Sequence, residues 1–75
     1  MNKEAVVLEV VGKVSGRQTA FVKPEHELVA DLGIDSPKGL QLLAELEDRL
    51  KLEISDEDAA RMNKVADILE FVRTR

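Results

Sequence analysis

The sequence predicts an all-α fold: a small helical bundle of three longer helices plus one short helix, with a long loop between the first and second helices. Three observations carry this expectation. Apolar residues recur at i, i+3, i+4 and i+7 near both ends of the chain, as Val7, Val10, Val11 and Val14 and again as Val65, Ile68, Leu69 and Val72. Ser36-Pro37 and Ser55-Asp56-Glu57-Asp58 both read as helix starts. No segment alternates strictly between apolar and polar residues as a half-buried strand does. At 75 residues the chain, 1–75, is expected to form a single domain, too short for an ordinary buried catalytic cleft.

Taken in order, the first helix is expected from Lys3 to Ser15 and stops at Gly16. Its valines argue mildly against a helix, because β-branched side chains lose rotamer freedom there, yet the spacing is helical. Arg17 to Asp35 lacks sustained periodicity. A loop this long usually hides a short element, and Leu28, Val29 and Leu32 suggest one helical turn, with Phe21, Leu28, Leu32 and Ile34 as anchors to the core. The second helix begins with Ser36 as N-cap and Pro37 as first helical residue, then runs to about Lys51. Leu42, Leu46 and Leu50 share one face, which Leu40, Leu43 and Ala44 widen enough to meet two neighbours. A short helix follows from Ser55 to about Met62, with acids in its first turn where the helix dipole favours them, and a last helix spans about Lys64 to Arg73.

Composition narrows the function classes. Hydrophobic residues make up 44% and charged residues 35%, the balance of a chain that folds. Without cysteine there is no disulfide framework, thiolate metal site or cysteine nucleophile. Eleven Lys and Arg stand against fifteen Asp and Glu, for a net charge of −4, which disfavours nucleic acid as a partner. The acid is concentrated: Glu25 to Asp58 holds eleven acids and three bases, −8, between two segments of +2. Basic partner proteins fit that field better. No apolar run is long enough for a membrane span, and Met1 to Glu4 lead into valines without a cleavage signal, so a cytoplasmic location is expected. Enzyme readings fail on inventory. His26, the only histidine, lies between Glu25 and Glu27 and reads as a solvated loop residue with no particular serine to serve. Asp56, Glu57 and Asp58 are consecutive, unlike the spaced ligands of a calcium loop, so no metal site is expected.

One constellation remains. Asp31-Leu32-Gly33-Ile34-Asp35-Ser36 ends a loop on a helix start inside the acidic segment. By itself Ser36-Pro37 is only a good helix start, and a small acidic helical adaptor that binds a basic partner without modification remains open. The motif resembles that of the acyl carrier protein family, and Leu46-Glu47-Asp48, Leu52-Glu53-Ile54-Ser55-Asp56-Glu57-Asp58-Ala59, Val65 and Ile68 extend the similarity over roughly residues 28–72.

The resemblance implies that Ser36, beside Asp35, carries a covalent 4′-phosphopantetheine arm whose thiol holds an acyl group. The protein is then a carrier for lipid, fatty acid or related biosynthesis, not an enzyme. A phosphodiester at Ser36 suits a helix N-terminus, where orphan N–H groups and the dipole favour negative charge. Leu42, Leu46, Leu50, Met62 and Ile68 are the expected lining of an acyl pocket. The expected partners are a phosphopantetheinyl transferase and acyl-transferring or acyl-modifying enzymes with basic patches, met through Asp31, Pro37, Lys38, Gln41, Glu45, Glu47, Asp48, Glu53, Asp56 and Glu57. Pro37 stands where the family usually has leucine, and Lys38 and Gln41 where acids are common. Charge reversal at Lys38 removes one attraction to a basic partner and selects against some partners. Gly39 also weakens the helix by up to ~1 kcal/mol relative to alanine. These departures point to a specialised pathway, such as envelope lipid, lipopolysaccharide or polyketide synthesis. A closed bundle leaves no apolar face, so a monomer is expected.

Overall fold

The valine-rich first segment is helical because its valines are buried together: Val6, Val7, Val10, Val11 and Val14 all lie in the core, which outweighs their rotamer cost. In the computed structural model, which describes residues 2–74, this helix is α1 (Lys3–Ser15). It is followed by a single 3₁₀ turn at Thr19–Phe21, then α2 (Ser36–Leu50), α3 (Asp56–Ala60) and α4 (Val65–Arg73). The order and type of the elements are those expected, and no β-strand forms among the described residues.

Asn2 caps α1, its Oδ1 accepting the Glu4 N–H at 2.8 Å. At the other end Gly16 takes a left-handed conformation, φ 75°, and Arg17 N–H donates to the Gly12 carbonyl at 2.8 Å. That return is close. A Cβ on Gly12 would lie 2.9 Å from the Arg17 carbonyl oxygen, so a side chain there has no room.

The core is a single aliphatic cluster. α1 packs against α2 through Leu42 and Leu46 and against α4 through Val65, Ile68, Leu69 and Val72. Ion pairs bridge the rims of these contacts, Lys13 to Glu45 and Arg49 to Glu9, both at 2.8 Å, and Arg73 to Glu4. Each is solvent-exposed on at least one side and adds only about 0–1 kcal/mol. α3 differs from the other helices: it buries no residue completely and packs on them only weakly.

The long loop is tied down by backbone hydrogen bonds. An isolated antiparallel bridge pairs Glu27 with Lys64, with Leu28 N–H donating to the Asn63 carbonyl at 2.9 Å and Val65 N–H to the His26 carbonyl at 3.0 Å. The expected helical turn is present as bonds from Asp31 N–H to the Glu27 carbonyl and from Gly33 N–H to the Val29 carbonyl. Leu28, Leu32 and Ile34 anchor the loop as expected.

Phe21 does not anchor it. The residue is 46% exposed and the neighbouring Val22 is buried instead. At this turn the chain can direct only one of two adjacent side chains inward, and the smaller fills the space; Phe21 stacks on His26 with ring centroids 5.1 Å apart, under the Arg17 guanidinium. His26 is accordingly half-buried, not a solvated loop residue, and its Nδ1 accepts the Lys23 N–H at 3.0 Å.

Helix ends shift slightly from expectation. α2 stops at Leu50 because Lys51 turns left-handed, φ 54°, and α3 ends at Ala60, before Met62. The apolar arc of α2 is narrower than its sequence suggests. Only Leu42 and Leu46 are buried, Leu50 is half-buried, and Leu40 and Ala44 face solvent.

Candidate functional site

Where α2 begins, the structure separates two roles that the sequence assigns jointly to Ser36. The N-cap is Asp35: its backbone is extended and its Oδ1 accepts the Lys38 N–H at 3.2 Å. Ser36 is therefore the first helical residue and Pro37 the second. A charged carboxylate gains more from the helix dipole than a hydroxyl does, and a proline is tolerated anywhere in the first turn because those N–H groups lack intrahelical partners. The bias a proline imposes on its predecessor is outweighed here. Relieved of capping, Ser36 is exposed, and its hydroxyl makes no hydrogen bond to any described residue.

The same geometry corrects the expectation of several orphan N–H groups around Ser36. Pro37 has none, Lys38 N–H is taken by the Asp35 carboxylate, and Gly39 N–H donates to the Asp35 carbonyl at 2.7 Å. Only the N–H of Ser36 itself and the helix dipole remain to favour an anion at this point.

Ser36 opens onto an apolar groove of about 370 Å³. This volume falls within the ~300–1,000 Å³ typical of small-molecule sites. One wall is the α1–α2 loop, with Leu28, Val29 and Ile34; a second is the α2 stripe Ser36, Gly39, Leu40 and Leu43; α3 and its exit supply Ala59 and Met62, and Leu42 and Ile68 form the floor. Three of the five lining residues expected from sequence, Leu42, Met62 and Ile68, are brought together here. Leu46 and Leu50 are not: Leu46 is fully buried in the core, and Leu50 packs against that core. In the sequence Leu28 and Ile34 read as core anchors only; their second role is missed there, along with those of Val29, Gly39, Leu40, Leu43 and Ala59. The i, i+3, i+4, i+7 spacing of Ser36, Gly39, Leu40 and Leu43 is the signal that could have found them.

Asp35, expected beside the arm, and the acids expected to meet partners divide into two sets. Glu45 is turned toward α1, with Oε1 on Lys13 and Oε2 buried, its side chain only 26% exposed. Glu47 is half-buried and its Oε2 accepts the Ile54 N–H at 2.8 Å. Asp31 Oδ2 accepts the Glu27 N–H at 2.7 Å, and Asp35 caps α2. These four hold the fold together. Asp48, Glu53, Asp56 and Glu57 are exposed without a side-chain hydrogen bond to any described residue, as are Pro37, Lys38 and Gln41 along the start of α2. Two large apolar side chains flank Ser36 in solvent, Val29 at 69% and Leu40 at 70% exposure, so the bundle does leave an apolar face. Among the described residues no group of three His, Asp or Glu side chains is placed to hold a metal ion, and no helix is long and apolar enough to cross a membrane.

This arrangement has close counterparts. The phosphopantetheine attachment site family matches residues 5–72. An acyl carrier protein of Desulforapulum autotrophicum is 36% identical over 76 residues, which cover 100% of this chain and 99% of that one. An acyl carrier protein of Solidesulfovibrio magneticus is 36% identical over 92% of this chain and 88% of its own. Among solved structures, a Mycobacterium tuberculosis chain assigned as an acyl carrier protein superposes with a TM-score of 0.86 at 31% identity, covering 97% of both chains. With the fold, the free serine and the groove already in place, these matches make the chain a member of the acyl carrier protein family, whose cofactor is covalently attached 4′-phosphopantetheine.

Proposed function

We propose that the chain, as one carrier domain, holds acyl intermediates on a 4′-phosphopantetheine arm attached to Ser36 and presents them to the enzymes of a specialised lipid or polyketide pathway. The observation that carries this is the free, exposed Ser36 hydroxyl at the mouth of an apolar groove, inside the Asp31-to-Ser36 motif. The arm supplies a thiol that carries the acyl group as a thioester, and this chain has no cysteine to compete with it. Asp35 keeps the α2 start in place while Ser36 is loaded; Leu42, Met62 and Ile68 offer the acyl group an apolar shelter.

The partner surface supports a specialised rather than a general carrier. Near Ser36 the exposed residues Pro37, Lys38 and Gln41 carry no acid, and Glu45 and Glu47 are spent on internal bonds. Free acid begins further on, at Asp48, Glu53, Asp56 and Glu57. In this reading a basic partner docks across the end of α2 and α3, and Lys38 repels a partner whose basic patch extends to the α2 start. The protein then works in the cytoplasm as a monomer, its exposed Val29 and Leu40 facing the enzymes it serves rather than a second copy.

Intact mass tests the attachment. Incubation with coenzyme A and a phosphopantetheinyl transferase adds one phosphopantetheine group to the wild type and none to Ser36→Ala. Because Asp35 is the cap, Ser36→Ala keeps its stability within about 0.5 kcal/mol, so the loss is chemical rather than a loss of fold. A wild type that is never modified, but still binds a basic partner, would instead make the chain an unmodified adaptor.

A further inference from the structure

Three of the four glycines have a backbone reason to be glycine. Gly16 and Gly33 adopt positive φ, and Gly12 has the Arg17 carbonyl where its Cβ would be. Gly39 has neither. It sits in the ordinary helical run of α2, and a Cβ built on it would meet nothing within 4 Å. The helix gains nothing from it, since glycine in a helix interior is less stable than alanine. What its missing side chain does leave is space, and that space belongs to the groove, one helical turn from Ser36 on the same face.

We propose that Gly39 is a specificity-determining residue: it keeps the groove wide beside Ser36, so that an acyl chain borne on the arm lies along the α2 stripe between Leu40 and the Ile68 floor. This rests on Ser36 being the attachment point. A side chain at position 39 narrows the groove on the face where Leu42 and Ile68 leave no slack, both being nearly or fully buried. The ligand class is an apolar acyl thioester, since the walls offer only apolar contact apart from Asp35 and Ser36 at the mouth.

The test compares melting temperatures of apo and octanoylated protein for the wild type, Gly39→Ala and Gly39→Leu, with intact mass confirming each loaded form. Alanine raises the apo melting temperature by up to about 4–8 °C through helix propensity. The further gain that octanoylation gives the wild type falls in Gly39→Ala and is lost in Gly39→Leu. A smaller gain on octanoylation in the variants than in the wild type is the signature, because a purely structural role shifts both forms together and leaves the gain unchanged. Equal shifts in apo and octanoyl protein overturn the proposal, as does a wild type whose melting temperature ignores octanoylation. Absence of any mass gain in the wild type overturns the Ser36 assignment itself, which separates the two failures.

Discussion

The two halves of this molecule are built from the same aliphatic residues and yet behave as different materials. On one side, α1, α4 and the inner face of α2 close around Val7, Val10, Leu46 and Val72, none of which retains solvent exposure. On the other, the loop, the outer stripe of α2 and α3 surround a groove whose walls are only partly covered. The difference comes from what each helix has to bury. α1 and α4 have full apolar faces, whereas α3 has five residues, three of them acids, and two alanines. A domain of this size has little apolar surface to spare, so closing one side tightly lets the other remain open.

Substitutions sharpen the contrast. The largest effect is expected in the closed half, where Leu46→Ala leaves a cavity and costs about 2–5 kcal/mol in denaturant unfolding. Next is the loop after α2: Glu47→Ala leaves the Ile54 N–H without its acceptor and costs about 1–3 kcal/mol by the same measurement. In the open half Met62→Ala removes a half-buried side chain that solvent and neighbours can replace, for a loss of about 1 kcal/mol. If Met62→Ala cost as much as Leu46→Ala, the two halves would be one uniform core. The smallest change is a gain: Lys51→Gly relieves a left-handed backbone and raises stability by up to about 1 kcal/mol.

Much of the closed half was legible in the sequence because helical periodicity is a local signal. The spacing of Val7, Val10, Val11 and Val14, and of Val65, Ile68, Leu69 and Val72, marks buried faces without any knowledge of what they meet. The open half was legible mainly through the Asp31-to-Ser36 motif. Its geometry depends on choices between neighbours that pattern cannot resolve: Asp35 rather than Ser36 as cap, Val22 rather than Phe21 as anchor. The commitment of Glu45 to Lys13 and of Glu47 to Ile54 depends on which helices lie side by side. An acid count treats these residues as docking charge, while the packed structure spends them internally.

The one-residue offset between cap and serine has a consequence for how such a carrier is read by others. Since Asp35 and not Ser36 ties down the first turn, attachment of the arm at Ser36, as proposed above, breaks no hydrogen bond of the protein among the described residues. On that proposal, arming the serine requires no rearrangement of the first turn of α2. An enzyme that tells empty from armed protein would then read the arm and its cargo directly rather than a refolded helix, which places the burden of recognition on the partner's own cleft.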